Sequence, residues 1–111
     1  MEEILRKEVI NQTGSEKIVR LLGRNYWDEN AVSQIPPDVF VASKNGAVNP
    51  SRSEVLFVNG PNCRYIFCVC TQNNKDQSWS STNEAWTVIR KLSLLLWKYY
   101  NPRSGWEPSV K

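Results

Sequence analysis

The segment 63–71, CRYIFCVCT, constrains the fold more than any other stretch of this chain. Read as a strand, it carries Tyr65, Phe67 and Val69 on one face and Ile66, Cys68 and Cys70 on the other, so both faces are apolar. A strand of that kind belongs inside a sheet that is covered on two sides. Only two other strand candidates accompany it, about residues 39–44 and 54–59, and both precede it. The tight link Asn59-Gly60-Pro61-Asn62 joins the second to the third, and a longer connection over 45–53 joins the first to the second. Strands so joined form an antiparallel meander, which leaves 63–71 at an edge. A long, uncharged, apolar edge is a template for pairing with another chain. The sequence therefore predicts a three-stranded meander that is part of a larger sheet. The strand that pairs with 63–71 would come from a second copy of the chain, as in a homo-oligomer, or from a complementary N-terminal segment.

Helical periodicity supplies the cover. Residues 2–10 place Ile4, Leu5, Val9 and Ile10 at helical spacing, and residues 16–22 do the same with Ile18, Val19, Leu21 and Leu22, after Ser15 as a cap and before Gly23. Residues 24–38 follow neither period. Pro36 and Pro37 force an extended entry into the first strand, so this stretch reads as a surface loop bearing Tyr26 and Trp27. The last element is the clearest: Ser81-x-x-Glu84 has the form of a capping box, and Trp86, Ile89, Leu92, Leu96 and Tyr99 make an apolar stripe over 82–100, stopped by Pro102. The tail 101–111 looks irregular. The expectation is an α+β fold, one partial domain over 1–111, with two short N-terminal helices and one long C-terminal helix on the meander. Trp86 and Trp97 read as core or interface residues on that helix. Trp27, Trp79 and Trp106 fall in loops.

Composition narrows the chemistry. The 111 residues contain no histidine, which removes Ser-His-Asp and Cys-His catalysis, histidine metal sites and a histidine pH switch together. The net charge of +3 is thinly spread, with Lys7, Lys17, Arg20 and Arg24 separated by apolar residues, so no nucleic-acid footprint is expected. No apolar run approaches the ~18 residues of a membrane span, and the charged start MEEILRKEVI does not read as a signal peptide, so the expected compartment is the cytoplasm. Cys63, Cys68 and Cys70 form no Cys-x-x-Cys, and no metal or cofactor is expected. On a strand, the α-carbons of Cys68 and Cys70 would stand about 6.6 Å apart, near the limit for a disulfide, so buried reduced thiols are expected. Asp76 and Glu84 suggest a carboxylate pair near Trp79, but Glu84 already has a capping role.

The candidate site is Ser43-Lys44-Asn45-Gly46-Ala47, at the end of the first strand. One reading is a solvated edge lysine before an Asn-Gly turn. The other is a motif of the Lys-Thr-Gly type. There an ammonium faces an anionic substrate group, a glycine admits the substrate to the backbone, and a following N–H serves an oxyanion.

MEEILRKEVIN, then Ile35-Pro36-Pro37 before VFVASKNGA, then EVLFVNGPNCRYIFCVCTQ, and finally LWKYYNP resemble, in order and spacing, the C-terminal part of class A β-lactamase-like serine hydrolases over about residues 1–100. The resemblance implies a sheet packed between helices and a strand bearing Lys-Thr-Gly beside a nucleophilic serine. It assigns Lys44, Asn45 and Gly46 to that triplet, and Ala47 to the position whose N–H helps form the oxyanion hole. Asn45 replaces the usual Thr or Ser. No Ser-x-x-Lys occurs in these 111 residues, and Ser81-Thr82-Asn83 lies after the lysine motif, at a helix start. Such a chain alone has no activated nucleophile and is expected to be catalytically silent. The alternative is a non-catalytic module that binds a partner or oligomerises through the open sheet edge.

Overall fold

The computed structural model describes residues 1–25 and 27–110; Tyr26 and Lys111 lie outside the described residues. The elements run α1 (Glu2–Leu5), α2 (Gln12–Gly23), a single 3-10 turn (Val32–Gln34), β1 (Val41–Val48), β2 (Ser51–Asn59), β3 (Arg64–Thr71) and α3 (Glu84–Tyr100). The three strands form one open antiparallel sheet in the order β1-β2-β3. The arrangement is α+β, as the periodicities imply.

The register pairs Lys44 with Val55, Asn45 with Glu54, Ala47 with Arg52, Val55 with Cys68 and Leu56 with Phe67. Because side chains alternate along a strand, one face of the sheet collects Val41, Ser43, Asn45 and Ala47 with Arg52, Glu54, Leu56 and Val58 and with Tyr65, Phe67 and Val69. This face carries the core, where Leu56, Val58 and Phe67 pack with Ala31 and Ile35 of the loop and with Trp86, Ile89 and Trp97 of α3. Trp86 and Trp97 are core residues, as their helical spacing implies. The opposite face collects Lys44, Gly46, Ser53, Val55, Phe57, Ile66, Cys68 and Cys70. There α2 packs along β1, but Ile66, Cys68 and Cys70 stay exposed. The apolar second face of 63–71 is thus uncovered among the described residues, and Cys68 and Cys70, expected to be buried, are free and open to solvent on it.

The boundaries differ from the periodicity in instructive ways. The first helix stops at Leu5 rather than residue 10, because Lys7 and Ile10 take left-handed backbone angles, with φ of 64° and 61°, and a helix cannot run through such residues. Ser15 does not cap the second helix. Asn11 does, its side chain accepting from the Gly14 N–H at 2.7 Å, while the buried Ser15 hydroxyl bonds the Val9 backbone. That earlier cap starts the helix at Gln12.

The long connection expected over 45–53 does not exist. β1 continues through Asn45, Gly46 and Ala47 to Val48, and β2 begins at Ser51, so only Asn49 and Pro50 make the turn. Arg52 explains why so short a turn holds: its fully buried guanidinium donates to the carbonyls of Val48, Asn49 and Ser51 at the turn and to Ser78 O at 3.0 Å. Trp79, a loop residue as the sequence implies, is 61% exposed, yet its ring covers the Arg52 guanidinium at 4.5 Å.

α3 begins at Glu84, not residue 82, and Ser81 is not its cap. The Asn83 side chain accepts from the N–H groups of Ala85 and Trp86, and Asp76 accepts from the Glu84 N–H at 3.1 Å. Glu84 returns the bond by accepting from the Asp76 N–H at 3.0 Å. The carboxylates of Asp76 and Glu84 are thus spent on a helix start and do not form a catalytic pair. The tail is not idle either, because Val110 O accepts from the Gln34 side chain and Glu107 pairs with Lys98 at 2.7 Å.

Candidate functional site

The motif Lys44-Asn45-Gly46-Ala47 lies in an edge strand whose outer side no other strand occupies among the described residues. Which backbone groups face that edge follows from one bond. The Asn59 N–H donates to Phe40 O at 3.0 Å. In an antiparallel ladder, residues alternate between bonding the partner strand and pointing away, so Ala42, Lys44, Gly46 and Val48 bond β2. Ser43, Asn45 and Ala47 direct their N–H and C=O groups to the open edge.

Two of those outward carbonyls are occupied. Asn25 donates to Ser43 O at 3.2 Å from the end of α2, and the Lys44 ammonium donates to Asn45 O at 2.8 Å. Among the described residues, nothing bonds the Ala47 N–H. The edge therefore presents the backbone N–H groups of Ser43, Asn45 and Ala47, the last with an exposed ammonium three residues before it. This is the pairing of charge and oriented N–H that an anionic or oxyanionic group would meet.

The other two residues of the motif have structural partners. A Cβ at Gly46 would stand 2.8 Å from Ser53 Oγ, which donates to Gly46 O at 3.3 Å, so the small residue here admits a cross-strand serine. Asn45 shares the core-side face with Glu54, and Ala47 packs against the core opposite Arg52. The structure thus puts all four residues on one strand edge. Lys44 and Gly46 face the open side of the sheet, and Asn45 and Ala47 face the core.

Beneath the edge lies a buried polar layer that the motif did not announce. Arg52, Glu54 and Arg90 are each at least 95% buried, and Glu54 forms no ion pair among the described residues. Glu54 Oε2 accepts from the Ala31 N–H at 3.0 Å, and its Oε1 has no partner. Burial pushes its carboxyl up to about 7, against the opposing pull of the Ala31 and Val32 N–H groups. Arg90 donates to Asn30 Oδ1 at 3.2 Å and to Ser81 O at 2.7 Å. This layer binds the loop before β1 to β2 and α3, and so fixes the strand that carries the motif. Arg52 and Glu54 occupy the same alternation as Leu56 and Val58, which is the signal that could have placed them inside.

Residues 1–100 match the family model described as the β-lactamase enzyme family. The chain belongs to that family. No sequence among curated proteins matches. Solved structures show the same fold at low identity. PBP-A superposes with a TM-score of 0.76 at 14% identity, over 92% of this chain and 37% of that one. The β-lactamase of Sphaerobacter thermophilus gives 0.77 at 14% identity, over 91% and 37%. The class A β-lactamase of Mycobacterium abscessus gives 0.70 at 16%, over 89% and 38%. The chain thus spans little more than a third of these structures. Among the described residues, no helix is long and apolar enough to cross a membrane.

Proposed function

We propose that this chain is the C-terminal part of a β-lactamase-like serine hydrolase, carrying its Lys-Thr-Gly-like strand and relying on a complementary N-terminal segment for the nucleophile. The observation that carries this reading is the free Ala47 N–H on the open edge of β1 beside the exposed Lys44 ammonium. In the assembled site, Lys44 attracts the anionic group of the substrate and the Ala47 N–H receives the oxyanion of the acyl-transfer intermediate. Asn45 and Gly46 complete the substrate edge. The acyl group itself needs a serine activated by a neighbouring base. These 111 residues contain no Ser-x-x-Lys.

Two further surfaces support a complementary segment. Among the described residues, the outer edge of β3 has no partner strand. On α3, Val88, Leu92, Leu95 and Tyr99 recur at helical spacing on the side away from the core, with Leu95 64% and Tyr99 74% exposed. A strand on the first and an apolar helix face on the second would complete both.

The test is reconstitution. Alone, the chain should give no acyl-serine adduct by mass spectrometry after incubation with a penicillin. Mixed with the N-terminal segment of a β-lactamase that bears Ser-x-x-Lys, it should restore hydrolysis, and Lys44→Ala should reduce that activity by about 10²-fold or more, the usual scale for one oxyanion or charge-stabilising group. An adduct on the chain alone, or reconstituted activity indifferent to Lys44, would overturn the reading. The open β3 edge also favours a second reading, a non-catalytic module that oligomerises through that edge. A stable homodimer paired along β3, with no gain of activity on mixing, would select it.

A further inference from the structure

The uncovered face of the sheet holds two thiols that the hydrolase reading does not use. Cys68 and Cys70 are both free and both exposed, and they lie two residues apart on β3, so their side chains leave the same face. They are flanked across the strand by Val55 and Ser53. Cys63 is out of reach beyond the start of β3, with its thiol turned to Arg64 O at 3.3 Å.

A disulfide does not suit the pair, because about 6.6 Å of strand separates the two α-carbons and the Cβ vectors run parallel. A bridging atom does. Two metal–thiolate bonds of ~2.3 Å in line span about 4.6 Å. Sulfurs whose rotamers lean toward each other along the strand reach that separation, since strand side chains lean along the strand direction.

The donor set then decides the metal. Among the described residues, no third cysteine, aspartate or glutamate joins the pair, and the chain has no histidine. Zinc, which takes four ligands, is not satisfied by two sulfurs. A soft monovalent d10 cation that favours thiolates is. We infer that Cys68 and Cys70 form a two-thiolate site for copper(I) on the open face of β3. Binding converts two thiols to thiolates and releases their protons to solvent, with no change of oxidation state. The thiols stand off the face of the strand, whereas a pairing strand adds along its edge.

The experiment is an anaerobic titration of the reduced chain with copper(I) as its acetonitrile complex, against bicinchoninate as competitor. The thiolate-to-copper charge-transfer absorption and the competitor's colour report the binding. The expected result is one copper per chain, unchanged in Cys63→Ser. Affinity should be at least about 100-fold weaker in Cys68→Ser and in Cys70→Ser, a larger loss than removal of an outer-shell partner causes. Cys68→Ala and Cys70→Ala repeat the test with a different side-chain volume, and circular dichroism of each variant verifies the fold. Affinity unaffected by either substitution, dependence on Cys63, or one copper shared by two chains would overturn the inference. None of these readouts depends on hydrolysis.

Discussion

Glu54 is the residue at which burial and chemistry disagree most openly. Its carboxyl is 2% exposed, accepts from the Ala31 N–H, and has one oxygen without a partner, and burial raises its pKa from 4.5 to about 7. A group held above its unfolded value binds a proton more tightly when folded. Its contribution is therefore complete below pH ~4.5 and declines as pH rises through about 7. Chemical denaturation of the isolated chain should show stability falling from pH 5 to pH 8, by on the order of 3 kcal/mol from this group. Glu54→Gln keeps the acceptor for Ala31 and removes the titration. It should flatten that dependence and be the more stable protein at pH 8. A wild-type profile level over this range, or a Gln variant with the same slope, would show that Glu54 stays charged in the fold. The strand pattern held half of this information: in Arg52-Ser53-Glu54-Val55-Leu56-Phe57-Val58, the two charges share the alternation of Leu56 and Val58. What the pattern does not carry is the partner. Backbone groups of the 3-10 turn and of the hairpin meet these charges, and backbone groups leave no mark in a sequence.

At the scale of elements, α3 shows how a correct helix can have the wrong start. Ser81-x-x-Glu84 satisfies the capping-box spacing, yet Asn83 is the cap, because its side chain reaches two helix N–H groups and also donates to Asp76 O and Ser78 O. Those last bonds tie the helix to residues 76–78, a tertiary contact that a local motif does not encode. Asn83→Ala should thus cost the upper part of the usual cap range, about 2 kcal/mol, while Ser81→Ala should cost a few tenths. Thermal unfolding of the two variants checks this, and equal losses would restore Ser81 as the cap. The same logic separates β1 from its expected end at Lys44. Asn-Gly is a turn signal in isolation, but here Gly46 leaves room for Ser53 Oγ and the Arg52 guanidinium gathers the carbonyls of a turn three residues later. Gly46→Ala should displace Ser53 Oγ and weaken the hairpin by about 1 kcal/mol, the low end for an overpacked contact. Adding Ser53→Ala, which removes the Oγ without placing a glycine in the strand, should recover most of that loss. If the double variant is no better than the single one, the glycine is required for another reason.

The whole molecule presents two unsatisfied surfaces that differ in how far the sequence disclosed them. The β3 edge was legible, because both faces of 63–71 are apolar and a meander leaves the last strand at an edge. The outer stripe of α3 was only half legible. Leu92 and Tyr99 were assigned to one apolar stripe with Trp86 and Ile89, whereas the structure divides them. Ile89 and Trp86 enter the core, and Val88, Leu92, Leu95 and Tyr99 face out. A helix with apolar residues on two sides has no single moment from which to choose, so only its packing shows which side is taken. This division yields a prediction that discriminates between a structural and a docking role for the outer stripe. Leu95→Glu and Leu92→Glu place charge at exposed positions of α3, so the stability of the isolated chain should change by no more than about 0.5 kcal/mol, as at other exposed positions. The same substitutions should abolish reconstitution with an N-terminal β-lactamase segment by burying an unpaired carboxylate in the new interface. If reconstitution proceeds normally with both substitutions present, the complementary segment does not cover α3, and the β3 edge alone must hold the two parts together.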